Sequence, residues 1–224
     1  MNISQTIDHT LLKATATEAE IKKICEEAVQ YNFKTVCVPT CYVEQANELL
    51  KDTKVGITTV VGFPLGNETP KAKAFQALEA VINGATDIDT VINIGALKDK
   101  KYDYVREDIK AVVEAAKNEN EETIVKVIIE TCYLTDEEIA KATEIVVDAG
   151  ADFVKTSTGF GTGGAKLSDV KIMKSVAKDK IEIKASGGIG DIDTAKEMIK
   201  EGATRLGVSK GIAIINGEKT DGGY

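Results

Sequence analysis

Short runs of β-branched residues alternate along the chain with longer, charged stretches of helical periodicity. The runs lie at Gln5–His9, Phe33–Val38, Gly56–Gly62, Asp87–Ile94, Ile124–Glu130, Asp152–Thr156, Ile181–Ala185 and Thr204–Val208. Between them, Glu18–Tyr31 sets Ile21, Ile24, Cys25 and Ala28 on one face, and Tyr102–Lys117 does the same with Val105, Ile109, Val112 and Val113. Thr135 with Glu138 has the pattern of a capping box, and Gly150 stands just past Ala149 where a helix would stop. About eight strands, each followed by a helix, predict a parallel sheet with helices outside it. The count and repeat length fit a single-domain α/β fold closed as a (β/α)₈ TIM barrel better than an open doubly wound sheet. The barrel is expected over residues 1–215, with 216–224 (NGEKTDGGY) as a flexible C-terminal tail.

In such a barrel the chemistry collects at the C-terminal ends of the strands. Asp8, Cys37, Asp89, Asn93, Glu130, Lys155 and Lys184 are the unusual residues there. Alternation places Asp87, Asp89, Val91 and Asn93 on one face of their strand and Ile88, Thr90 and Ile92 on the other. Lys126, Lys155 and Lys184 recur at equal spacing inside predicted strands. A single buried lysine is commonly a salt-bridged structural group. Two at the ends of adjacent strands, followed by the small polar strings KTSTG and KASGG, favour chemistry instead.

A lysine nucleophile must be neutral, and at an ordinary pKa roughly one amine in two thousand is neutral at pH 7. A second cation about 5 Å away, at an effective dielectric of about 20, lowers that pKa by roughly 2.4 units, nearly enough on its own. Lys155, beside Thr156, Ser157, Thr158 and Gly159, is the expected nucleophile. Lys184 is then the perturbing cation and proton carrier. Asp89 holds Lys184 charged, relays protons through water, or simply caps the following loop. Lys126 is structural or a remote perturber, Asp8 a supporting residue, and Cys37 an inward-facing strand residue with no essential role.

Two glycine clusters add a binding function. Ser186-Gly187-Gly188 follows the seventh strand, and Gly207-Val208-Ser209-Lys210-Gly211 follows the eighth. Loops at these two places bind phosphate in barrels of this kind through backbone N–H groups. Ser209 and Lys210 would add a hydroxyl and a charge, so the substrate is expected to be a phosphorylated carbonyl compound. Residues 159–164 (GFGTGG) also satisfy G-x-G-x-x-G, but a dinucleotide site needs that motif to open a helix directly. Here Ser168-Asp169 looks like a fresh N-cap several residues later, so the glycines are taken as a loop.

Composition narrows the remaining possibilities. With 224 residues the chain can bury a full core without staples. Its net charge of −8 disfavours nucleic acid and anionic membranes as partners. One histidine, His9, rules out polyhistidine metal sites, and the amine chemistry expected at Lys155 needs no metal and no cofactor. Four cysteines without a Cys-x-x-Cys pair, and no secretory segment behind Met1, point to reduced thiols and a cytoplasmic location. A homodimer or higher homo-oligomer is left open.

The strings IDHTLLK (7–13), VVGFPLG (60–66), DIDTVINIGALK (87–98), VKVIIET (125–131), GADFVKTSTGFG (150–161) and KASGGI (184–189) together resemble the deoxyribose-phosphate aldolase family, nearly end to end. The resemblance implies a barrel-fold class I aldolase. Such an enzyme cleaves 2-deoxy-D-ribose 5-phosphate to glyceraldehyde 3-phosphate and acetaldehyde, in deoxyribose phosphate catabolism. By the family pattern Lys155 forms the Schiff base, while Lys184 and Asp89 handle protons. Three positions depart from that pattern: Pro39-Thr40, where Asn-Pro is frequent; Gly190, where a basic residue is common; and Lys210, where a second serine is usual. Lys210 is expected to supply the charge that Gly190 lacks. Whether Tyr224, at the end of the tail, visits the mouth and assists proton transfer is left open. Two alternatives stand beside this reading. One is a class I aldolase or transaldolase for another phosphosugar; the other is a non-catalytic phosphate-binding barrel whose lysines only hold the ligand.

Overall fold

The structure, a computed structural model, describes residues 3–220. Eight parallel strands follow one another around a closed barrel: β1 (Ile7–Thr10), β2 (Thr35–Val38), β3 (Gly56–Val61), β4 (Asp87–Val91), β5 (Ile124–Ile128), β6 (Phe153–Lys155), β7 (Glu182–Ser186) and β8 (Arg205–Val208). The helices packed around them are α1 (Glu18–Gln30), α2 (Val43–Leu50), α3 (Pro70–Ile82), α4 (Ile94–Lys98), α5 (Tyr102–Glu119), α6 (Asp136–Asp148), α7 (Leu167–Ala177), α8 (Ile192–Lys200) and α9 (Gly211–Ile215). This is the expected (β/α)₈ barrel. No helix among the described residues is long and apolar enough to cross a membrane.

Alternation divides each strand between two environments. Ile7, Val36, Ile57, Ile88, Val125, Val127, Val154, Ile183 and Leu206 face outward and are buried under the helices. Burial of each such side chain is worth about 1.5–3 kcal/mol. The helices meet them with their predicted stripes: Ile21, Ile24, Cys25 and Ala28 of α1, and Val105, Ile109, Val112 and Val113 of α5. The capping box of α6 is formed as expected, with the Thr135 N–H donating to Glu138 Oε2 at 2.9 Å. The single histidine also faces outward, hydrogen-bonded to Glu27 of α1 at 2.9 Å.

The inward parity is unusual. TIM-barrel lumens are ordinarily filled by layers of Val, Ile and Leu. Here Asp8, Asp87, Asp89, Lys126, Lys155, Lys184 and Arg205 point inward, and none is more than 7 % exposed. The sequence places these polar groups at the mouth; in the structure they run through the depth of the lumen. One local expectation also changes. α7 starts at Leu167 with Lys166 as its N-cap, so Ser168 and Asp169 lie in its first turn rather than ahead of it. Asp169 turns to its neighbour, accepting from Ser168 Oγ at 3.0 Å. In the segment after Ile215, the Thr220 N–H donates to the Gly190 carbonyl at 2.8 Å. Tyr224 lies outside the described residues.

Candidate active site

Strand register sets the level of each charged group. Lys155 pairs with Lys184 across β6 and β7, so the two amines stand side by side. Lys126 pairs with Phe153 instead, one inward layer below Lys155, although its spacing along the sequence is the same. Asp89 sits opposite Lys126 on β4.

The resulting contacts centre on Asp89. Its Oδ2 accepts from Lys155 Nζ and from Lys184 Nζ, each at 2.7 Å, and its Oδ1 accepts from Lys126 at 2.9 Å. Lys184 reaches Asp8 Oδ2 at 2.5 Å, Arg205 joins Asp8 Oδ1 at 2.9 Å to Asp87 Oδ2 at 3.0 Å, and Asp87 meets Lys126 at 2.8 Å. Four cations therefore face three carboxylates. Charge balance is reached when one amine is neutral, and Lys155 is the one whose only ion-pair partner among the described residues is Asp89.

Burial is the main influence pushing the Lys155 ammonium below the usual lysine range; Asp89 opposes that shift and Lys184 reinforces it. This corrects the expectation that a neighbouring lysine nearly suffices. The Lys184 charge is compensated by the carboxylates it touches, so it repels Lys155 far less than a bare cation would. For Lys184 itself burial also disfavours the charge, but Asp8 and Asp89 outweigh it and hold the ammonium protonated well above the usual range. Burial works against the charged form of Asp89 too, yet Lys126, Lys155 and Lys184 keep it ionised. Lys184, Arg205 and Lys126 do the same for Asp8. Burial pushes the Cys37 thiol, in the same lumen, up to about 11, so it stays a neutral neighbour.

Above this layer, Glu130 at the end of β5 is only 2 % exposed and adopts a left-handed backbone at φ 54°. It takes both donors of Thr158: the N–H at 3.1 Å and, through a short hydrogen bond, the hydroxyl. Thr158 Oγ1 in turn accepts from the Phe160 N–H at 3.0 Å. Thr158, expected at the substrate, thus spends its donors on shaping the loop around Gly159. Phe160 of that loop meets Phe63, from the loop after β3, edge to face at 5.4 Å. Beside them Gly187 and Gly188 have φ of +79° and +77°, which side chains rarely adopt. A Cβ on Gly188 would meet open space. Ser209 and Lys210 lie between β8 and the short α9.

The structure thus brings Lys155, Lys184, Asp89, Asp8 and Cys37 into one lumen. Asn93 is used elsewhere, accepting from the Ala96 N–H at 2.9 Å as the N-cap of α4. Sequence reasoning missed Asp87 and Arg205 as members of the network and Glu130 as the holder of the Thr158 loop. For Arg205 a signal was present: at the start of β8 it shares the inward parity of Gly207.

The chain is similar to known proteins over almost its whole length. The model of the DeoC/LacD family aldolases matches residues 3–217. A deoxyribose-phosphate aldolase of Carboxydothermus hydrogenoformans is 59 % identical over 215 residues, covering 96 % of this chain and 94 % of that one. Deoxyribose-phosphate aldolase 1 of Mesoplasma florum is 55 % identical, with all of both chains covered. The tetrameric deoxyribose phosphate aldolase of Aeropyrum pernix superposes with a TM-score of 0.88 at 30 % identity, covering 96 % of this chain and 89 % of that one. With a buried amine pair in a closed barrel and a family match over almost its whole length, the chain belongs to the DeoC/LacD aldolase family.

Proposed function

We propose that this chain reversibly cleaves 2-deoxy-D-ribose 5-phosphate to D-glyceraldehyde 3-phosphate and acetaldehyde, through a Schiff base on Lys155. The observation that carries the reading is the single oxygen, Asp89 Oδ2, within 2.7 Å of both Lys155 Nζ and Lys184 Nζ. The first amine is pushed toward neutrality and the second is held protonated, so nucleophile and proton source share one carboxylate.

Neutral Lys155 adds to the C1 aldehyde of the open-chain sugar and loses water to give an iminium. Lys184 gives its proton to the water lost in that step and then takes up the C3 hydroxyl proton through water; the C2–C3 bond breaks and its electron pair passes into the iminium to leave an enamine. Glyceraldehyde 3-phosphate departs. A proton delivered to the enamine carbon from Lys184, through Asp89 and water, regenerates an iminium, which water hydrolyses to acetaldehyde and free Lys155. The chemistry uses neither metal nor organic cofactor.

For the phosphate we assign the backbone of Gly159, Gly187 and Gly188 with Ser209 and Lys210, where left-handed glycines let main-chain N–H groups approach an oxyanion. The partners are small molecules and, in keeping with the tetrameric relative, further copies of the chain.

Incubation with acetaldehyde and borohydride should leave an ethyl group on Lys155, located by peptide mass spectrometry. An ethyl group on another lysine, or none, would contradict the proposal. A barrel that only binds phosphate gives none, and an aldolase for another phosphosugar prefers a different carbonyl donor.

A further inference from the structure

The charged groups of the lumen form a closed ring in which signs alternate. From Asp89 it runs to Lys184 at 2.7 Å, to Asp8 at 2.5 Å, to Arg205 at 2.9 Å, to Asp87 at 3.0 Å, to Lys126 at 2.8 Å and back to Asp89 at 2.9 Å. Three cations and three carboxylates make the ring neutral. Lys155 hangs from it by an ion pair with Asp89, its one such partner among the described residues.

Two of the six members of this ring are remote from the mouth. Asp87 and Arg205 are the first residues of β4 and β8, so they lie at the opposite, N-terminal end of the barrel. There they line a cavity of about 530 Å³ together with Lys34, Thr35 and Glu182. Arg205 stacks over Phe153, 5.3 Å from the ring centre, and joins Asp8 to Asp87 through one nitrogen. Neither side chain is near the loops that would hold a phosphosugar.

We infer that Arg205 and Asp87 are positioning residues: by completing the neutral ring they leave Lys155 as the surplus amine, and so set the pH at which it becomes a nucleophile. This deepens the proposed function and rests on its assignment of Lys155.

The physical reason is charge counting in a medium that screens poorly. Lys155 is faced by Asp89 from β4, Lys184 from β7 and the Cys37 thiol from β2. Behind them stand Asp8 from β1, Lys126 from β5 and Arg205 from β8; β3 offers no titratable group. While the ring is neutral, its positive and negative members largely cancel at Lys155, and burial decides for the free amine. Removing Arg205 leaves the ring at −1, which favours the Lys155 ammonium. Removing the charge of Asp87 leaves it at +1, which favours the amine further. At an effective dielectric of about 20, a unit charge about 10 Å away moves a pKa by roughly one unit.

The experiment is the pH profile of kcat/KM for cleavage of 2-deoxy-D-ribose 5-phosphate, which reports ionisations of the free enzyme and substrate. It compares the full wild-type chain with Arg205→Met, Asp87→Asn, the double variant and Arg205→Lys. Titration of the substrate phosphate is common to all five and cancels. The acid limb is expected to move up by about one pH unit in Arg205→Met and down by about one in Asp87→Asn. It should return to the wild-type position in the double variant and in Arg205→Lys. A merely structural role would lower activity without opposite displacements.

Shifts in the same direction, or an unmoved limb in folded Asp87→Asn, would overturn the inference. If Arg205→Met does not fold, Asp87→Asn and the double variant decide. Borohydride trapping on the same proteins separates the two levels: labelled Lys155 with unmoved limbs rejects the ring's role alone, and an unlabelled wild type rejects the assignment of Lys155 as well.

Discussion

Lys155→Met should abolish cleavage and leave the protein at least as stable as the wild type. The loss of turnover is expected to be on the order of 10⁴-fold or greater, as for removal of a covalent nucleophile. Stability moves the other way because Lys155 is the amine the charge balance does not need. Without it Asp89 keeps Lys126 at 2.9 Å and Lys184 at 2.7 Å, and the remaining ring is neutral. Methionine fills the buried site with no proton to give up on folding, so a neutral to modestly stabilising change is expected.

The gain should depend on pH in a defined sense. The folded-state pKa of Lys155 lies below its unfolded value, so between the two the unfolded chain binds a proton that the fold rejects. Wild-type stability therefore falls as pH drops from about 10.4 toward the folded value, and the advantage of methionine grows to its full size there. Above about 10.4 that pH-dependent part of the advantage vanishes. Paired calorimetric scans at neutral and alkaline pH measure it. A variant clearly less stable than the wild type at neutral pH would show Lys155 to be a structural cation.

Lys184→Met should fail on both counts. This ammonium bridges Asp8 at 2.5 Å and Asp89 at 2.7 Å with no exposure to solvent. Its removal opens the ring and leaves two buried carboxylates each short of a partner, a change that typically costs about 3–5 kcal/mol. For a chain of this size, about 3 kcal/mol lowers Tm by roughly 6–12 °C. The folded pKa of Lys184 is raised, so its stabilising contribution is fully present below the unfolded value of about 10.4 and is lost only as pH rises through the folded one. The destabilisation should consequently be undiminished at neutral pH.

Activity falls for two reasons in this variant. The proton donor is gone, worth about 10²–10⁴-fold. The ring, now at −1, also favours a protonated Lys155. Thermal melts and steady-state rates on the same preparation check both, and a fully stable, inactive Lys184→Met would argue that the ring does not hold the barrel together.

Much of this architecture was legible in the chain because period-two alternation carries two messages at once. In β4 it separates Ile88 and Thr90 from Asp87 and Asp89, giving both the helix-facing side and the existence of a polar lumen. The anomalous strand lysines, and the small polar residues after Lys155 and Lys184, pointed to the chemistry. Pairing within the lumen was not legible, because it depends on the stagger of the strands. Equal spacing along the sequence says nothing of the level of Lys126, which register sets opposite Phe153. Arg205 was overlooked because a basic residue at the start of a strand usually faces solvent; only closure of β8 onto β1 brings it to Asp8. The Glu130–Thr158 contact likewise joins loops after different strands and has no local sequence signature.

The central claim is that one amine in a charge-balanced lumen is free to act as a nucleophile near neutral pH. It can be measured without substrate by following the ¹³Cε resonance of Lys155 in lysine-labelled protein, assigned by its absence in Lys155→Met. A titration midpoint clearly below the ordinary lysine value of about 10.4 is the result the account predicts. A resonance that stays in the ammonium position up to that value or beyond would contradict it.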